Sequence, residues 1–375
     1  MFLAPYHPVE ESPTTWIRRD IELAKHVDHL GFAEMWVGEH YSGGFEMIAA
    51  PDMFIAAAAE VTRRLRFGTG VITLPFHNPL VVANRITQLD HMTMGRVSFG
   101  FGPGLLMQDA QMMGLDPKLT RDMMLQAIDV ITRLLRGEAV TEKTSWYNLV
   151  NAHVHLMPYS QPLELAVASS ITPSGGAAAG KYGLSMLCVA AAAKGGYDSL
   201  GTNWAVANQV AAENGKVMDP ANLRLVVPMH IAETREKARE NVRYGLEQWV
   251  RYYDLAAPSP FPRDGMDVVD AMIESKRAVI GTADDAIQMI ERMQAKQGEF
   301  GVILTQHVDW ADWDQTLKSY ELYARYVMPH FSNANLNRNA TLKIMRDSLP
   351  EHSAVRRQAA DIAIEKHQQR QASRT

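Results

Sequence analysis

The sequence predicts an α/β fold, a (β/α)8 TIM barrel with loop insertions and a C-terminal helical extension, and three observations carry that expectation. Eight short β-rich runs, at residues 1–6, 33–37, 65–73, 96–101, 163–168, 184–189, 223–231 and 300–304, alternate with longer stretches of helical periodicity. Such alternation gives right-handed βαβ units and a parallel sheet, and eight units close on themselves. With 375 residues, 47% of them hydrophobic, the chain can fill one large core without splitting into two domains. Finally, the turn after the first strand reads His7-Pro8-Val9-Glu10-Glu11. It lacks the glycines that a doubly wound dinucleotide-binding sheet places there, and Gly100-Phe101-Gly102-Pro103-Gly104 has the wrong spacing for that role.

Between the first two strands, Ile17, Ile21, Ala24, Val27 and Leu30 line one helical face. Ser12-Pro13 supplies its cap and first helical residue, and Gly31 ends it. A second helix runs through 54–64, and a third starts at Asn78-Pro79 and continues through Val82, Ile86 and Leu89. Two stretches exceed ordinary loop length: 138–162, and 256–281 with Pro258, Pro260 and Pro262. Past Pro329 the βα rhythm fades. The barrel domain is therefore placed at 1–330 and a helical, polar extension at 331–375, whose tail from Leu349 is rich in Arg, Gln and Ala.

Lys plus Arg number 37 against 42 Asp plus Glu, and a net charge of −5 with interspersed signs leaves no basic footprint for nucleic acid or anionic lipid. A single cysteine, Cys188, excludes an intrachain disulfide framework and a multi-cysteine metal site, and points to a reducing cytoplasm. No run of 18 apolar residues and no signal peptide is recognisable, so neither a membrane span nor export is expected. No metal is expected either, because the histidines lack ligand spacing. A glycosidase is disfavoured, since no paired strand-end carboxylates stand out.

In a parallel barrel the chemistry sits where strands end. Those positions read Tyr6-His7, Gly38-Glu39-His40-Tyr41, Thr73 to His77, Gly100 to Gly104, Ala168 to Gly176, and Thr305-Gln306-His307. Glycines there let a backbone approach a flat ligand, and hydroxyls with glycines opening a helix are the chemistry of a phosphate seat, so a phosphorylated planar cofactor fits. Each signal has a plainer reading. The serine cluster caps a helix, Glu39 orients His40 or a loop amide, and His7, His77 and His307 are satisfied polar residues at the rim. Met107, Met112, Met113, Met123 and Met124 either line an apolar pocket or pack the core. The small side chains of Ala56 to Ala59 admit a partner helix or simply favour helix.

The run Trp36-Val37-Gly38-Glu39-His40, Pro51 with its Ala-rich helix, residues 65–74, Asp90, Met94-Gly95-Arg96 and the glycines from Gly100 to Gly104 resemble the bacterial luciferase-like monooxygenase family, over about 2–329. The opening Phe2 to Glu11, Gln88-Leu89-Asp90-His91 and Met94 to Val97 are most similar to the branch that oxygenates limonene. The resemblance implies a two-component enzyme. Reduced FMN from a separate NADH-dependent reductase reacts with O2 to give a flavin peroxide, which oxygenates a small apolar substrate, with epoxidation of a monoterpene alkene as the lead case. It implies His40 as the catalytic histidine and a non-prolyl cis peptide at Gly70 and Val71 under the flavin ring. It also implies a homodimer through the second and third helices. A cysteine and an arginine found in luciferase are replaced here by Gly102 and Pro103. FMN is then expected on Gly70, Val71, Gly100 and Gly102, with its phosphate on Ser169, Ser170, Thr172, Ser174, Gly175 and Gly176. Baeyer–Villiger or aldehyde-oxidising chemistry, a deazaflavin-dependent oxidoreductase and a non-catalytic flavin-binding protein remain alternatives.

Overall fold

The computed structural model describes residues 1–256, 261 and 263–373. Pro258, Pro260 and Pro262 lie outside the described residues. In chain order the elements are β1 (Phe2–Leu3), α1 (Pro13–Leu30), β2 (Glu34–Val37), α2 (Pro51–Glu60), β3 (Arg66–Thr73), α3 (Pro79–Met92), β4 (Val97–Gly102), α4 (Met107–Met112), α5 (Thr120–Leu135), β5 (Val140–Lys143), β6 (Asn148–Ala152), β7 (Leu165–Ser169), α6 (Ser174–Tyr182), β8 (Ser185–Cys188) and α7 (Lys194–Glu213). There follow β9 (Leu223–Ile231), α8 (Arg235–Val242), α9 (Leu246–Ala256), α10 (Val268–Glu274), β10 (Val279–Gly281), α11 (Ala283–Gln297), β11 (Val302–His307), α12 (Trp313–Leu322), α13 (Met328–Phe331), α14 (Leu336–Asp347) and α15 (Leu349–Ala372).

Parallel pairing runs β11-β1-β2-β3-β4-β7-β8 and returns through β9 to β11, so eight strands close into the expected barrel. Register brings Phe2 beside Trp36 on one side and Gln306 on the other. All eight anticipated strands are present, the seventh with the anticipated ends and the other seven with shifted ends. The eighth extends to His307, so Thr305 and Gln306 lie within it rather than after it. The second helix occupies 51–60 instead of 54–64, because Pro51 starts it at the position where a missing amide is tolerated. The 138–162 stretch holds the antiparallel β5–β6 hairpin, and 256–281 contains α10 and β10, which pairs with the end of β9. Those short elements carry too few residues to show periodicity.

Alternation along the strands decides what fills the barrel. Phe2, Trp36, Ala166, Leu187, Val226 and Leu304 belong to one buried cluster. Gly68, Gly70 and Gly100 make room for it: a Cβ on Gly68 would overlap the Trp36 indole, and one on Gly70 would come 2.7 Å from Phe2. At the N-terminal end of the strands, Arg224 grips Glu34 with two donors at 2.7 and 2.9 Å and Glu164 at 2.8 Å, beneath the Trp36 ring. That plug leaves the C-terminal end of the strands for chemistry. The structure divides into Met1–Ala324 and Arg325–Thr375. In the second unit α14 and α15 contain no buried residue. Among the described residues, no helix is long and apolar enough to cross a membrane.

Candidate active site

His40 leaves the C-terminal end of β2 and enters a loop that turns at Gly43 and Gly44, whose φ angles of +81° and +77° are left-handed and suit glycine. The turn sends the chain back across the barrel mouth. The Met47 amide donates to the Pro5 carbonyl at 3.2 Å, the His7 amide donates to the Phe45 carbonyl at 2.9 Å, and Tyr6 and Glu46 form an antiparallel bridge. Glu46 is thereby returned to His40, with Oε2 3.3 Å from Nε2. On the other side of the ring, Nδ1 lies 3.4 Å from Asp109 Oδ2 on α4. Ser42 donates to Asp109, and the Tyr252 hydroxyl donates to Glu46 at 2.8 Å. Burial alone would make the imidazole harder to protonate, but Glu46 and Asp109 outweigh it and the His40 pKa rises. Asp109 is held low despite burial, through its bonds from His40 and Ser42.

Glu39 does not orient His40. Buried, it accepts the Thr73 amide at 3.3 Å and His77 Nε2 at 3.1 Å, fixing the loop that leaves β3. His7 and His307 face the helix layer. His7 donates to Asp309 at 2.5 Å and to Asp20 at 3.0 Å and stacks on Trp16, while His307 is hydrogen-bonded to Tyr320 at 3.1 Å. All three are satisfied polar groups.

After β7, Ser169 is buried and takes a hydrogen bond from Asn203 at 3.4 Å, whereas Ser170 and Thr172 are exposed and Ser174 is half-buried at the start of α6. Thr172 and Ser174 share a hydrogen bond of 2.9 Å. Gly175 and Gly176 have a packing reason to be glycine: a Cβ would overlap the Ala168 carbonyl in one case and the Asn203 carbonyl in the other. Their amides still lie in the unpaired first turn of a nine-residue helix. Across the mouth, the Gly70–Val71 peptide is cis, as the resemblance implies. Gly100 is explained by Trp36 and the Thr69 carbonyl and Gly102 by the Val71 side chain, so close approach of a ligand is not needed to account for either.

The luciferase-like monooxygenase family model matches residues 1–299. The chain belongs to that family. It is 45% identical over 332 residues to limonene 1,2-monooxygenase of Rhodococcus erythropolis, covering 88% of this chain and 86% of that protein. It is 39% identical to 4-hydroxyprotoasukamycin monooxygenase of Streptomyces nodosus subsp. asukaensis, covering 89% and 92%. Among solved structures, the oxygenating constituent of 3,6-diketocamphane monooxygenase from Pseudomonas putida, a type II Baeyer–Villiger enzyme in complex with FMN, superposes with a TM-score of 0.72 at 21% identity, covering 88% of this chain and 97% of that one.

In this luciferase-like monooxygenase the wall beside His40 is aromatic. Tyr6 stacks on Phe45 with ring centres 5.3 Å apart, Tyr252 lies 5.1 Å from Phe45, and Trp249 contacts Tyr253 and Trp310, each at 5.3 Å. Among the described residues, the Tyr6 hydroxyl and Trp310 Nε1 find no hydrogen-bond partner although both are buried. Met123 and Met124 pack in the core, but Met107, Met112 and Met113 are exposed around α4. The partners of His40 escaped sequence reasoning: Asp109 is 69 positions away, and Glu46 is returned by a turn rather than by helical or strand spacing.

Proposed function

We propose that this enzyme is a two-component flavoprotein that uses reduced FMN, delivered by a separate NADH-dependent reductase, and O2 to oxygenate a small apolar substrate, with epoxidation of a monoterpene alkene such as limonene as the lead reaction. The observation that carries the reading is the wall of packed aromatic rings beside His40, apolar surroundings suited to an alkene and to a reactive oxygen species. The 45% identity to limonene 1,2-monooxygenase supports the substrate class. The donor set fits FMN. The Ser170, Thr172 and Ser174 hydroxyls with the amides of Gly175 and Gly176 would hold its phosphate, helped by Ser169 from behind. Gly70 and Val71, with Gly100 and Gly102, would form the floor beneath its rings. Bound reduced FMN supplies two electrons and the position at which O2 is activated.

The residues of this chain then have separate tasks. The α6 seat orients the cofactor. The aromatic wall excludes water and positions the alkene edge. His40 donates a proton or hydrogen bond from Nε2 where negative charge develops on oxygen. A reductase is required because no dinucleotide fingerprint is present in the sequence. The oligomer proposed is a homodimer through α2 and α3, which expose Met53, Val81 and Met92.

The test is turnover with FMN, NADH, a flavin reductase, O2 and a panel of alkenes, ketones and aldehydes. Limonene epoxide as the main product is expected, with no turnover when the reductase is left out. Esters from ketones or acids from aldehydes in its place would reassign the chemistry. FMN binding with no substrate consumed would make the protein a flavin carrier.

A further inference from the structure

His40 stands at the barrel mouth between two carboxylates, each with its own fixed donor. Asp109 takes the Ser42 hydroxyl and faces Nδ1; Glu46 takes the Tyr252 hydroxyl and faces Nε2. Neither carboxylate is supplied by the strand that carries His40. One comes from α4 and the other from the far side of the Gly43-Gly44 turn, where the backbone bridge to Tyr6 sets the position of Glu46 independently of its side-chain charge.

We propose that Glu46, oriented by Tyr252, is a positioning residue that, with Asp109, keeps a proton on both ring nitrogens of His40, so that His40 meets the reacting oxygen as a donor and not as a base. This rests on the reading that His40 faces the reacting oxygen. An alkene is electron-rich and takes oxygen as an electrophile. The departing oxygen therefore gathers negative charge and needs a donor, while a base at that point would favour the opposite, nucleophilic reactivity used on ketones and aldehydes. A histidine with one carboxylate partner leaves the other nitrogen free to be either donor or acceptor. Glu46 removes that choice by its charge alone, since it faces Nε2 at 3.3 Å without forming a hydrogen bond and so leaves that N–H for the reacting oxygen.

The charged groups facing His40 agree in sign. They are Glu46 from the loop, Asp109 from α4 and Glu39 from just after β2, whose own bonds go to Thr73 and His77; from α9 comes the Tyr252 phenol, which burial and Glu46 keep protonated. The side chain of His40 is only 15% exposed, so these charges are weakly screened.

The experiment is an NMR titration of ring-labelled histidine, with the His40 signal assigned by its loss in His40→Ala, in wild type, Glu46→Gln and Tyr252→Phe, without flavin. Glu46→Gln keeps the shape and hydrogen-bonding reach of the side chain but removes the charge. The His40 midpoint should fall by about one unit or more, and Tyr252→Phe should lower it less, because it loosens Glu46 without neutralising it. Unchanged midpoints in both variants would overturn the proposal, and the second variant keeps the test open if the first folds poorly. In the reductase-coupled assay, the pH above which product yield gives way to hydrogen peroxide should fall by the same interval in Glu46→Gln. A shifted His40 titration with an unshifted yield profile would leave Glu46 as the keeper of the His40 proton and refute instead the placement of His40 against the reacting oxygen.

Discussion

At the scale of single residues, the distinction that matters is between histidines held for structure and the one proposed for chemistry. His40 is bracketed by charges at the mouth, while His7 is locked between Asp20 and Asp309 behind the barrel wall. Replacing His40 by alanine should leave folding and FMN affinity near wild type. Product formation should drop by about a hundredfold or more, the usual size of lost acid–base assistance, with NADH consumption diverted to hydrogen peroxide. His40→Asn keeps a hydrogen bond without the proton, so recovery of yield in that variant would assign positioning rather than proton donation. Normal product yield from His40→Ala would remove the residue from the mechanism. His7 should report on stability instead. Burial disfavours its charged form, but the hydrogen bonds to Asp20 and Asp309 raise its pKa from 6.5 to about 9. A folded-state value above the unfolded one stabilises the protein fully below about pH 6.5 and loses that contribution as pH rises through about 9. Wild-type Tm should therefore decline across this window. His7→Gln should flatten the decline while lowering stability near neutral pH by about 3–5 kcal/mol, the cost of stranding one side of a buried ion pair. Thermal unfolding followed from pH 6 to pH 10 reads both effects.

At the scale of elements, the junction of β7 with α6 is a helix start that is also the proposed phosphate seat. Replacing Ser170, Thr172 and Ser174 together by alanine should weaken FMN at least about tenfold while barely changing riboflavin, because apart from the Thr172–Ser174 bond the interactions removed are charge-assisted bonds to a phosphate. Equal losses measured for both flavins by fluorescence titration would show that these hydroxyls serve only the helix. The glycines on α6 answer to a different constraint. A Cβ on Gly180 would overlap the Ala207 carbonyl of α7, a backbone atom that cannot swing aside, so Gly180→Ala should lower stability by about 1–3 kcal/mol with FMN affinity retained in the folded fraction. The strands and the α1 cap were legible because their cues are local: alternating or continuous β-branched runs, and Ser12-Pro13 ahead of an amphipathic stripe closed by Gly31. His40 was legible through its motif and its place after β2. Glu46, Asp109 and Tyr252 were not, since their meeting depends on barrel closure and on one glycine turn. For the same reason Gly100, Gly175 and Gly176 read as ligand signals when much of their necessity comes from Trp36, Thr69, Ala168 and Asn203.

At the scale of the whole molecule, the barrel keeps its polar plug and its chemistry at opposite ends. Arg224, Glu34 and Glu164 seal the N-terminal end of the strands, and His40 sits at the other. The sides are left to the helices, and α2 and α3 expose the face proposed for a second copy, while the C-terminal helices expose apolar residues of their own. Asp52 of α2 and Arg85 of α3 are joined at 2.6 Å, which fixes these two helices to one another, and Met53 remains 73% exposed on the outward side of α2. In α14 and α15 the apolar residues Leu342, Ile344, Met345, Val355 and Ile362 are all exposed, but the charged residues among them interrupt any long stripe. If the homodimer forms through α2 and α3, Met53→Asp should place unpaired charge in its core and shift the protein to monomers in analytical ultracentrifugation, with Tm of the monomer little changed. A chain ending after Asn335 should stay dimeric and keep its Tm, because none of the residues of α14 or α15 is buried and every barrel strand precedes them. The opposite pair of results, a dimeric Met53→Asp and a monomeric truncation, would move the interface to the C-terminal helices and give that extension the assembly role assigned here to the second and third helices.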